Sequence, residues 1–138
     1  MLVHRSYEGE RQFQGFAGNR GQGFADQALA PISIPRETRW LLVGTIPMAT
    51  AVSASTLKAA LEQARQQQLS IALDVNWRPT FWDPEADPAS GPSTDAIDLI
   101  RPLLEQATLI KVSREEALWF FASEDPAVIG GALPQRPD

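Results

Sequence analysis

After Pro35 the sequence settles into a rhythm of short apolar runs, each followed by polar residues and then by an amphipathic stretch. Trp40-Leu41-Leu42-Val43, closed by Gly44-Thr45, predicts a strand buried on both faces. Ser53 and Ser55 are candidate N-caps for a helix reaching to about Gln68. Along it Leu57, Leu61 and Ala64 share one face, while Lys58, Glu62, Arg65 and Gln66 fall elsewhere. Ile71-Ala72-Leu73-Asp74-Val75 predicts a second buried strand, and a proline-rich loop runs from Arg78 to Pro92. A helical stretch follows with Ile97, Ile100 and Leu104 on one face, which Pro102 should kink or divide because proline has no amide hydrogen to donate. Thr108 to Val112 reads as the third strand and Ser113 to Phe121 as the next helix. Asp125-Pro126, an N-cap residue before proline at the first helical position, predicts one more short helix.

The residues before Pro35 follow another pattern. Arg11-Gln12-Phe13-Gln14-Gly15-Phe16 alternates over a short range, as in a strand exposed on one face. Gly15, Gly18, Gly21 and Gly23 come next, and Phe24 to Leu29 could form a short helix. Pro31 and Pro35 then mark a boundary. Strands alternating with helices after that boundary predict βαβ units, hence an α/β fold with a parallel sheet.

Composition narrows the chemistry. The 138 residues include no cysteine and one histidine, which excludes disulfides, zinc-thiolate sites, a thiol nucleophile and a histidine cluster. Seventeen acidic against twelve basic side chains, a net charge of −5, argue against a general nucleic-acid binder. The longest strongly apolar runs are far shorter than a membrane span, and Met1-Leu2-Val3-His4 does not read as a signal peptide, so a soluble, cytoplasmic protein is expected.

Ligands of open parallel sheets bind beyond the carboxyl ends of the strands. Here those ends are Gly44-Thr45, Asp74-Val75-Asn76-Trp77-Arg78 and Lys111-Val112-Ser113-Arg114-Glu115-Glu116. Acid, amide and arginine together suit a phosphate with its magnesium ion. Simpler readings exist for each. Ser113-x-x-Glu116 before an apolar helix is a capping box. Asp74 and Asn76 could be loop-formers, and Arg78 a surface arginine. The glycine-rich Gly18-Asn19-Arg20-Gly21-Gln22-Gly23 matches neither the dinucleotide fingerprint nor a phosphate loop, and reads as a mobile loop. Trp77, Phe81, Trp82, Trp119 and Phe120 read as core or loop-anchoring aromatics.

The stretch Leu73-Asp74-Val75-Asn76-Trp77-Arg78-Pro79-Thr80-Phe81-Trp82 closely resembles the Asp-x-Asn-x-Arg-x-x-x-Trp motif of fructokinases and 2-keto-3-deoxygluconate kinases, members of the PfkB or ribokinase-like family of sugar kinases. Lys111 to Glu116 resembles the family's Lys-x-Asn-x-x-Glu motif, with Ser113 in place of the commoner asparagine. Glu10 to Phe16 and Ala25 to Leu29 are similar to its lid strand and the Ala-Asp segment that follows, and Gly44-Thr45-Ile46 to a loop after a strand. The resemblance implies a partial Rossmann-like, ribokinase-like fold: a lid-like strand and glycine-rich loop over residues 1–35, and a partial α/β kinase core over 36–138. It further implies that Asn76, Arg78, Ser113 and Glu116 bind the nucleotide phosphates of ATP, Glu116 acting on Mg2+ through water. Arg78 would also reach the sugar, Phe16 would belong to the lid over it, and the lid could pair two chains into a homodimer.

Family members run to about twice this length. Their paired-glycine sugar site has no counterpart here, nor has their Gly-Ala-Gly-Asp motif, the source of the catalytic base and anion hole; Gly130-Gly131-Ala132-Leu133 comes nearest and has no aspartate. A central fragment of a fructokinase-like enzyme, inactive alone, is therefore expected, with no catalytic base of its own. A binding module for nucleotide or phosphate and a non-functional truncated product are the alternatives. The latter would leave sheet edges and apolar faces exposed.

Overall fold

A computed structural model describes residues 2–9, 11–15 and 28–134. Phe16, the glycine-rich loop and residues 24–27 of the expected Phe24–Leu29 helix lie outside the described residues.

The amino-terminal part is an antiparallel hairpin of β1 (Leu2–Arg5) and β2 (Arg11–Gly15), turned at Gly9 with a φ of 87°. The alternation over 11–16 indicated β2, whereas β1 is too short and polar to stand out in the sequence. The core follows as β3 (Trp40–Gly44), a 3-10 turn (Ile46–Ala49), α1 (Ala51–Gln66) and β4 (Ser70–Asp74). After these come α2 (Pro79–Trp82), α3 (Thr94–Gln106), β5 (Leu109–Lys111), α4 (Arg114–Phe121) and α5 (Pro126–Ala132). β3, β4 and β5 form a parallel sheet in that order.

One face of this sheet carries the core. Val43, Ile71 and Leu73 pack with Leu57, Leu61 and Ala64 of α1 and with Ile100, Leu103 and Leu104 of α3. Leu73 and Ile100 are 1% and 0% exposed. The opposite face is open. Leu42, Ala72 and Leu109 lie in register across the three strands, yet Leu42 is 73% and Leu109 56% exposed, and Trp40 is 52% exposed. The expectation that the strand at Trp40–Val43 is buried on both faces is therefore corrected. A progressive strand order puts successive right-handed crossovers, and so α1 and α3, on the same side. Parallel sheets are ordinarily covered on both faces. Leu42→Lys is accordingly expected to leave stability within about 0.5 kcal/mol while raising solubility and lowering the binding of a hydrophobic dye. Urea unfolding and dye fluorescence check this.

One helix detail also differs from expectation. The N-cap of α1 is Thr50, not Ser53 or Ser55, and it makes no side-chain cap bond. Ser53 is instead fully buried and accepts from the Leu29 amide (3.1 Å), while Thr56 donates to the Leu29 carbonyl (3.0 Å). Gln63 adds bonds to Ile34 and Ile32, so the polar side of α1 fastens the segment leading into the sheet. Around Pro102, α3 runs on without division. Its exposed side faces Asp98 and Pro102, so the carbonyl that loses a helical partner there can be hydrated. At α5 the expected N-cap is present: Asp125 accepts from the Ala127 amide (2.8 Å), with Pro126 opening the helix. No described helix is long and apolar enough to cross a membrane.

Candidate functional site

The carboxyl ends of the parallel strands meet in register, Gly44 beside Asp74 and Asp74 beside Lys111. Lys111 Nζ donates to both carboxylate oxygens of Asp74, at 3.0 and 2.8 Å, across the mouth of a cleft. That cleft, about 250 Å³, is lined by Asp74, Asn76, Arg78, Lys111, Val112, Ser113 and Glu116. Four of the five expected site residues are thus brought together; the fifth, Phe16, lies outside the described residues.

Local sequence explains how they converge. β4 is tied to β5 as far as the Val75 amide, which donates to the Lys111 carbonyl (3.1 Å). Asn76 then takes a left-handed φ of 45°, which asparagine tolerates better than most residues, and the chain turns out of the sheet. The simple reading of Asn76 as a loop-former is correct for its backbone. Pro79 restricts the residue before it to extended conformations, and Arg78 has φ −142° and ψ 93°. The turn brings its side chain to the cleft, where its Nη1 donates to the Trp77 carbonyl (2.7 Å). Below the turn, fully buried Thr45 donates from its hydroxyl to the Val75 carbonyl.

Across the cleft, Ser113 caps α4. Its hydroxyl accepts from the Glu116 amide (3.2 Å), and Glu116 Oε2 accepts from the Ser113 amide (2.7 Å), completing the capping box. Glu116 does more than cap. Its Oε1 accepts from the Trp77 amide at 2.6 Å, joining two elements that are 39 residues apart in sequence. The neighbouring Glu115 carboxyl is held below the usual carboxylate range, first by its own backbone N–H and next by the Ser113 hydroxyl.

The aromatic residues frame this arrangement. Trp77 is buried, donates from Nε1 to the Ser90 carbonyl (2.9 Å) and lies 5.3 Å from the Trp82 ring, which pins the proline-rich loop. Phe81 and Phe120 are buried as expected, but Trp119 is 36% exposed. It lies over Gly91, where an added Cβ would come within 2.9 Å of its Nε1. Trp77, Arg78, Glu116 and Trp119 border a second, wider cleft of about 660 Å³, which Arg11 of β2 also reaches.

The donor set suits an anion first. A guanidinium, an amide and a hydroxyl face the small cleft, whereas its carboxylates are already engaged, Asp74 by Lys111 and Glu116 by backbone amides. Among the described residues there is no group of three or more His, Asp or Glu side chains arranged to hold a bare metal ion. The residues fit a magnesium ion that arrives with phosphate oxygens and keeps several of its waters, since each Glu116 oxygen retains a second lone pair for such a water. Sequence reasoning did not find the Asp74–Lys111 pair or the Thr45 bond. The in-register placement of strand ends was the available signal for the pair. The Thr45 bond depends on a tertiary approach that no local pattern encodes.

Fold and site together define the class: a portion of a ribokinase-like α/β fold, with its polar cleft at the carboxyl edge of a parallel sheet. No family model matches the chain. It is 25% identical over 125 residues to probable fructokinase-6, chloroplastic, of Arabidopsis thaliana, covering 91% of this chain and 30% of that protein. Among solved structures, apo fructokinase from Vibrio cholerae O395 superposes with a TM-score of 0.66 at 25% identity, over 94% of this chain and 41% of that one. The form of that enzyme with fructose, ADP and calcium ion bound gives 0.61 at 23% identity, covering 78% and 33%. A PfkB protein from Polaromonas sp. JS666 shares the fold, with a TM-score of 0.56 at 20% identity over 70% of this chain and 30% of that one. The chain is similar to fructokinases over most of its length and spans 30% to 41% of the length of these relatives.

Proposed function

We propose that this chain carries the phosphate-binding wall of an ATP-dependent sugar kinase, one that transfers a phosphoryl group to a sugar hydroxyl as fructokinases do. The observation that carries this reading is the convergence of Asn76, Arg78, Ser113 and Glu116 from two strand ends on one cleft, within the part shared with fructokinase. A Vibrio cholerae relative with fructose, ADP and calcium ion bound supports sugar and nucleotide as the ligand classes.

In this reading Arg78 grips phosphate oxygens with its planar fork, and Asn76 donates its amide to the nucleotide phosphates. Ser113 adds a hydroxyl beside them. Glu116 would hold magnesium indirectly, by accepting from a coordinated water. When bound, the ion would neutralise charge on the phosphate oxygens. Phe16 and its neighbours would close over the sugar. Ordered donors at fixed positions are the main requirement, because phosphoryl transfer depends chiefly on positioning and charge stabilisation.

The 138 residues contain no Gly-Ala-Gly-Asp sequence. A polypeptide of these residues, given fructose, Mg2+ and ATP, is expected to bind ATP saturably in a calorimeter yet consume none in a coupled assay. ATP turnover that Arg78→Ala abolishes would contradict the expected inactivity, and absence of ATP binding would contradict the proposed site. The coding sequence on either side of this frame gives a further check. A Gly-Ala-Gly-Asp motif found downstream is the expected result.

A further inference from the structure

We infer that Glu116 is a positioning residue, whose buried carboxylate holds the Asn76–Arg78 turn in the shape that presents Arg78 to the cleft. The inference rests on the phosphate-binding reading above and adds to it a role that needs no metal.

A capping box requires Glu116 to reach back only to its own helix N-cap, and the bond to the Ser113 amide does that. The second bond, to the Trp77 amide at 2.6 Å, is superfluous for capping. Both are charge-assisted, and the side chain making them is 6% exposed, so water competes little for either donor. What the second bond holds is the Asn76–Trp77 peptide, one peptide unit before the one that joins Trp77 to Arg78. The N–H of Trp77 goes to Glu116, and the carbonyl of Trp77 accepts from Arg78 Nη1 at 2.7 Å. A continuous polar chain therefore runs from α4 through one residue's backbone to the guanidinium.

The turn needs such an anchor. Asn76 sits in a sparsely populated region of backbone space, at φ 45°, and persists there only where its surroundings over-determine it. The last sheet bond before it is at Val75, and the first bond after it is the one to Glu116. Without Glu116 the Trp77 amide would be a buried donor with no acceptor, and the turn would relax to satisfy it. Arg78 would then lose its fixed direction toward the cleft.

Binding of inorganic phosphate to the 138-residue chain in the presence of a chelator separates this role from action through metal. A carboxylate acting only on a metal-bound water leaves metal-free phosphate affinity unchanged when replaced. A carboxylate that positions Arg78 does not. Glu116→Gln, which keeps the shape but loses one acceptor, is expected to weaken metal-free phosphate binding about tenfold, the effect of one charge-assisted hydrogen bond. It is also expected to speed hydrogen exchange at the Trp77 amide. The control is Ser93→Ala, which removes the α3 N-cap bond to Ala96, neither residue lining the cleft. It should lower the melting temperature and leave phosphate affinity unchanged. Unaltered phosphate affinity in Glu116→Gln, with Trp77 still protected, overturns the inference. If the wild-type chain binds no phosphate, the phosphate reading fails. The hold on the turn is then decided by Trp77 exchange in Glu116→Gln, faster exchange supporting it and unchanged exchange refuting it. Should that variant not fold, the wild-type Trp77 amide decides. A downfield proton with sheet-like protection supports the hold, and a random-coil shift with fast exchange refutes it.

Discussion

Leu73→Ala is expected to lower the stability of the chain by about 3 kcal/mol, within the range for deleting a buried leucine side chain. Leu73 is 1% exposed on the central strand and sits in the core shared with α1 and α3. Val43 and Ile110 flank it in register, so neither neighbouring strand can move in without breaking the ladders on both sides of β4. The loss has few compensations, because the other face of the sheet is exposed at Leu42 and Leu109. Urea unfolding should show a lower midpoint with an unchanged slope. The consequence for the site is direct, since β4 leads into Asn76 and Arg78.

Arg78→Ala is expected to weaken binding of Mg·ATP by roughly thirtyfold, about 2 kcal/mol, the usual size for a hydrogen bond to a charged group. The substitution removes the guanidinium but keeps the extended backbone that Pro79 imposes. Within the fold it deletes the bond from Nη1 to the adjacent Trp77 carbonyl. Calorimetric titration of the two chains gives the affinities, and thermal unfolding shows that the variant is folded. Comparable binding by both would remove Arg78 from the site.

Much of this was legible in the residues. Period and turn chemistry located the three core strands, the helix over 51–66 and the caps at Ser113 and Asp125, because local propensity and tertiary context agree there. Clustering of Asp74, Asn76 and Arg78 after one strand, with Ser113 and Glu116 after another, indicated the cleft through the rule for parallel sheets. Other features lay beyond such reasoning. The apolar run at Trp40 read as doubly buried, since a sequence does not state which face of a strand is covered. Ser53 looked like a cap and is a buried tertiary contact to Leu29. Glu116 was legible as a capping residue. Its bond to Trp77 was not, because it joins segments that only the finished fold brings together.

The central claim is that the cleft beyond β4 and β5 receives the phosphates of a nucleotide. A titration of the isotope-labelled 138-residue chain with Mg·ATP, followed residue by residue through backbone amide shifts, tests it most directly. The predicted result is saturable movement concentrated at Asn76, Trp77, Arg78, Ser113 and Glu116, with α5 and the exposed sheet face unmoved. Saturable shifts centred elsewhere, or no shift at millimolar nucleotide, would contradict it.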